Sequence, residues 1–153
     1  MGTTTPLRDS GTVVKIWSKR FKRGPMDPLM FAELVAGRGI AGNTDQGGKR
    51  QITILSEESW DEVQEALGMA VDPVLRRANV LVRGIDLQNS RGKLLHLGHT
   101  IVRIYGEVTP CRKMEDALPG LQAAMRPRWR GGVFGEIVEG GVIRIGDAVS
   151  FRA

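Results

Sequence analysis

The chain is predicted to be mainly β with short helices, its strands closing into a barrel. Three observations carry this expectation. About seven or eight apolar runs of strand length recur at regular spacing. Twenty glycines punctuate them, which implies many tight turns. Helical patterns are few and brief, too short to supply the crossovers of a parallel α/β sheet.

In order, Met1–Ser10 is Thr-rich, and residues 1–11 are expected to form a loose tail ahead of one domain over 12–153. Thr12–Trp17 is the first strand. Lys19, Arg20, Lys22 and Arg23 form a basic cluster around Phe21, a feature more often solvated than bound to nucleic acid. Asp27-Pro28 has the form of an N-cap followed by proline, which predicts a short helix through Leu29, Met30, Leu34 and Val35, ended by Gly37 and Gly39. The glycine-rich stretch Gly39–Lys49 lacks the Gly-Lys-Ser/Thr ending of a phosphate-binding loop and the spacing of a dinucleotide fingerprint.

Arg50–Leu55 is a strand, and Ser56 caps a helix with Trp60, Val63 and Leu67 on one face, closed by Gly68. Asp72-Pro73 opens a helical turn containing Arg76 and Arg77. Ala78–Gly84 is the next strand. Lys93–Leu97 and Thr100–Ile104 form a hairpin over Gly98-His99, with His96 and His99 at turn or solvent-facing positions. Val102–Val108 then runs toward Cys111. Two helical pieces, Glu115–Leu118 and Leu121–Met125, are separated by Pro119-Gly120. Val133–Glu139 and two short strands around Gly146-Asp147 complete the chain.

Composition narrows the function classes. At 153 residues, with 41% apolar and 25% charged residues, the chain fits a single domain with its own core. A net charge of +5 suits an anionic ligand. One cysteine permits no internal disulfide and no iron–sulfur cluster, and with two histidines no closed zinc site without help from carboxylates. Met1–Ser10 has no signal-peptide core, and no apolar run approaches the roughly 20 residues of a membrane span. The expected location is the cytoplasm.

Cys111 is the residue of greatest chemical interest. Pro110 fixes its own φ and extends Thr109, so the chain enters Cys111 stiffly. Arg112 and Lys113 follow directly, and nearby cations favour thiolate over thiol. A lone thiol so placed suits ligation of a soft metal or carriage of a sulfur atom, against the alternative of a small buried hydrophobe.

The order of several short stretches resembles the MOSC family, named for the C-terminal domain of molybdenum cofactor sulfurases. They are Arg50-Gln51-Ile52-Thr53, Arg77-Ala78-Asn79-Val80, Gly84-Ile85-Asp86-Leu87, Gly98, Thr109-Pro110-Cys111, Gly131-Gly132-Val133 and Gly140–Val149. These stretches run from Arg50 to Val149, and the resemblance in the order of the pieces covers about residues 12–152. The resemblance implies a β-barrel that binds the molybdenum cofactor (molybdopterin) or handles sulfur destined for it. In related reductases the matching cysteine ligates molybdenum, which makes Cys111 the metal ligand and catalytic residue. It also implies guanidinium groups near the cofactor's phosphate. Arg50, Arg77 and Arg112 are the candidates, with Asn79 as an orienting hydrogen-bonder.

The functions so implied are reduction of N-hydroxylated compounds with electrons from a separate protein, or, alternatively, a sulfur carrier holding a persulfide on Cys111. A non-catalytic basic binding module using Lys19, Arg20, Lys22 and Arg23 is the reading from another class. The chain departs from the family pattern at one point. The glycine-rich loop usually ends Gly-Ile-x-Gly-Asp, whereas here Asn43 follows Gly42 and the carboxylate comes at Asp45.

Overall fold

The computed structural model describes residues 9–151; most of the expected tail lies outside them. Eleven strands and three short α-helices follow one another along the described chain. β1 (Asp9–Ser18) pairs with both β6 (Val80–Ile85) and β11 (Ala148–Phe151), which closes a seven-stranded barrel. Closure removes free sheet edges along the ring. β7 (Leu94–Leu97) and β8 (Thr100–Glu107) are the expected hairpin, and β8 continues onto β9 (Val133–Glu139). Every pairing in the ring is antiparallel except that of β5 (Ile52–Ser56) with β6.

That parallel pair requires a crossover. It is made by α1 (Glu57–Leu67) and a 3₁₀ turn, Pro73–Arg76. Of two further helical pieces, α3 (Leu121–Met125) lies beside α1, and α2 (Arg112–Ala117) lies against α3 and the 3₁₀ turn. β5 and β6 are therefore buried on both faces. Ile52, Ile54, Val80 and Val82 enter the barrel core, while Leu55 and Leu81 join Trp60, Val63, Leu121 and Met125 beneath the helices. Two-sided burial explains why these strands read as near-continuous apolar runs.

α1 begins as expected. The Ser56 hydroxyl accepts from Ser59 N at 3.0 Å, and Gly68, at φ 70°, ends the helix. Ser56→Ala is expected to cost about 1 kcal/mol, measured as a lower urea midpoint with an unchanged slope.

One element differs in kind. The helix expected after Asp27-Pro28 is absent; β2 (Asp27–Leu29) and β3 (Phe31–Val35) are strands instead. β2 is the outer neighbour of β1, an edge position where proline's missing N–H is tolerated. β3 joins β4 (Gly39–Ile40) and β10 (Gly141–Arg144) in a small second sheet. Its residues alternate, with Ala32 and Leu34 buried and Phe31, Glu33 and Val35 exposed. The period-two burial of Ala32 and Leu34 overrides the local capping signal. The first strand also starts earlier than expected, at Asp9. Among the described residues, no helix is long and apolar enough to cross a membrane.

Candidate functional site

The helical layer and the barrel meet along a seam at the start of β6, and a cavity of about 210 Å³ opens there. Its walls bring together residues far apart in sequence: Lys19 after β1, Asp45 and Arg50 from the glycine-rich loop, Arg76, Arg77 and Asn79 before β6, Cys111 and Lys113 at the start of α2, and Gly131 before β9. Five cations thus face one carboxylate, and Asp45 already pairs with Lys19 at 3.5 Å. Such a lining attracts anions.

Cys111 is exposed. It caps α2 in an extended conformation, and its carbonyl accepts from Met114 N at 2.9 Å. The backbone is thus held while the thiol stays accessible, which sets aside the buried-hydrophobe alternative. Lys113 lines the same cavity, whereas Arg112 points elsewhere; its side chain is 89% exposed and lies 3.9 Å from Asp116.

Arg76 and Arg77 are adjacent in sequence but take opposite roles. The carboxylate of Asp72 accepts from Val74 N at 2.9 Å and starts the 3₁₀ turn. Arg77 ends it in the left-handed region, φ 62°, a conformation costing a non-glycine residue about 1–2 kcal/mol. That reversal sends Arg77 outward, where its Nη2 donates to Gly24 O at 2.6 Å, and Arg76 inward, to 9% exposure.

Buried Arg76 has no carboxylate partner among the described residues. Its Nε donates to Gly131 O at 2.8 Å, and its Nη groups lie 3.5 Å from Val108 O and 3.8 Å from Met114 Sδ. Burial, and secondarily the charge of Arg50, push its pKa down to about 10, with Cys111 opposing. At neutral pH the guanidinium remains charged. Because the folded value lies below the unfolded one, that charge costs stability below about pH 10, and the cost is relieved as pH rises further. A bound anion would offset it.

Arg76→Gln keeps a donor for Gly131 O but removes the charge. We expect phosphate affinity to fall about 10- to 100-fold, one charge-assisted hydrogen bond being worth about 1.5–3 kcal/mol. The apo protein should melt no lower than wild type. Phosphate titration followed by calorimetry and by thermal shift checks both.

Asn79 serves the frame. Its Oδ1 accepts from Thr53 N at 3.0 Å and from Thr53 Oγ1 at 3.2 Å, and its Nδ2 donates to Trp17 O at 3.2 Å. One buried amide therefore joins the ends of β1, β5 and β6 beneath the cavity. Arg50 is exposed and sits 5.1 Å over the Phe134 ring. In the glycine-rich loop, Asn43 is buried, accepting from Lys19 N at 2.9 Å, while the Asp45 side chain reaches the cavity. This loop thus separates a loop-fixing amide, Asn43, from a carboxylate at the cavity, Asp45.

Arg76 is the residue to which sequence reasoning gives no role; Lys113 is placed beside Cys111 and Lys19 in the basic cluster, but neither is selected for the cofactor. No local pattern separates Arg76 from Arg77. The left-handed backbone at Arg77 decides which of the two faces inward.

A family model described as the MOSC domain matches residues 40–150. The chain belongs to the MOSC family. Among solved structures, this MOSC protein is similar to the YuaD protein of Bacillus subtilis, with TM-score 0.79 and 20% identity over 93% of this chain and 95% of that one. It is also similar to YiiM from Geobacillus stearothermophilus (TM-score 0.73, 16% identity, 94% and 75% coverage). For YiiM from Escherichia coli the values are 0.67, 14%, 93% and 70%. At these identities the likeness establishes the shared barrel fold. A search of curated proteins gives no match.

Proposed function

We propose that this MOSC protein binds a molybdenum–pterin cofactor in the cation-lined cavity, with Cys111 supplying a thiolate ligand to the metal. The observation that carries the reading is an accessible thiol in one cavity with a buried guanidinium that has no carboxylate to neutralise it.

The residues present fit such a group. Among the described residues no three of His, Cys, Asp and Glu come together as a metal cage. A bare ion would therefore find too few ligands, whereas a metal arriving with its own sulfur ligands needs only one more, and thiolate is a suitable donor. Arg76, with Arg50 nearby, suits a terminal phosphate, which guanidinium groups bind through paired donors. Asn79 keeps the strand ends that carry these groups in place.

When bound, the cofactor would supply two-electron reduction. Cleaving the N–O bond of an N-hydroxylated compound consumes two electrons and two protons and releases water. One cysteine cannot ligate an iron–sulfur cluster, and the reading includes a separate electron-transfer protein. Within the chain, the work of Cys111 is ligation. That of the cations is to anchor the cofactor and hold an electron-rich substrate head near it.

Elemental analysis of protein purified anaerobically from a cofactor-competent host tests the reading. Near-stoichiometric molybdenum supports it. No molybdenum, together with a mass increase of one sulfur that reductant removes, would overturn it in favour of a persulfide carrier on Cys111.

A further inference from the structure

A second depression of about 440 Å³ adjoins the Cys111 cavity and has a different character. Its walls are Met26, Val74, Leu75, Met114 and Ala117, with Arg77 and Lys113 at the border. Met26, Met114, Arg77 and Lys113 line both spaces, so the two are continuous. The apolar floor is firm, because Met26, Val74 and Leu75 pack against the core beneath the helices.

Small-molecule sites typically enclose roughly 300–1,000 Å³, and the groove lies within that range. Chemistry separates the two spaces. The cavity is lined by charge, whereas the groove offers aliphatic surface and two methionines, whose flexible, polarizable thioethers adapt to aromatic rings.

We propose that this groove binds the flat, apolar body of a small substrate whose anionic head lies against Arg77 and Lys113, facing Cys111. The border cations supply the complementarity for the head, and the groove confers a preference for aryl-bearing over small polar compounds. Calling the occupant a substrate rests on the reading of Cys111 as the reaction centre; the ligand class rests on the groove itself.

The test uses cofactor-free full-length protein and two probes, 1-naphthyl phosphate and inorganic phosphate, titrated by calorimetry. The naphthyl ester is expected to bind about tenfold or more tightly than phosphate, from the apolar surface it buries. Leu75→Gln should remove most of that advantage and leave phosphate affinity unchanged. Ala117→Gln, at an exposed position on α2, should do the same should the first variant fold poorly. Equal affinity for the two probes, or an advantage that survives both substitutions, would overturn the proposal. So would a fall in molybdenum content in the groove variants, which would place the cofactor itself there. Absence of molybdenum from the wild type would defeat the cofactor reading alone, since the titrations need no metal.

Discussion

Cys111→Ser protein is expected to contain no molybdenum after purification from a host that loads the wild type. Serine is close in size, but its hydroxyl is a poor ligand for a soft metal. The fold should not notice the change. Cys111 is exposed, its described contact is through its backbone carbonyl, and serine caps helices well. An exposed substitution of this kind stays within about 0.5 kcal/mol, so Tm should move by less than about 2 °C. Arg112→Ala is the informative neighbour. Its side chain stands away from the cavity and lies against Asp116, so the metal should remain. Molybdenum retained by a folded Cys111→Ser protein would refute ligation by the thiol. Molybdenum lost from Arg112→Ala would show that the outward-facing guanidinium takes part after all.

Gly132→Ala is expected to remove about 3 kcal/mol of stability or more, or to prevent folding. Gly132 has φ 92°, and a Cβ there would lie 2.4 Å from Ile54 O and 3.3 Å from Leu55 Cα. Those atoms belong to β5, whose Ile54 and Leu55 are fully buried and cannot retreat. The same segment frames the site. Gly132 O accepts from Val108 N at 2.9 Å, steadying the strand end that leads to Cys111, and Gly131 O holds Arg76. A melt should show Tm lower by at least about 6 °C. Gly48→Ala is the control, with φ 68° and open space around the added carbon; it should cost only about 1–2 kcal/mol. Equal losses in the two variants would show that backbone angle, not the clash with β5, sets the requirement.

The barrel strands were legible because burial imposes a period, or a continuous run, on the side chains that face the core. Val133–Glu139, the hairpin over Gly98-His99 and the Ser56 cap are local patterns, and each is found as expected. The segment 27–35 was not. Its capping signal is genuine in sequence, but pairing with β1 and β10, and burial of Ala32 and Leu34, outweigh it.

The site divides in the same way. The stiff approach to a lone cysteine beside Lys113, and the order of short motifs around it, marked Cys111 from sequence alone. That Arg76 and not its neighbour supplies the buried charge was decided in the tertiary structure. So were the pairing of Asn79 with Thr53 and Trp17, and the merging of Lys19 and Asp45 into the same cavity. The physical reason is reach. Periodicity records which face of a strand or helix is dry, but it carries no record of which distant carbonyls or cations meet across a closed barrel. Those meetings are set by a closure that pairs β1 with both β6 and β11 and so draws five separate segments to one seam.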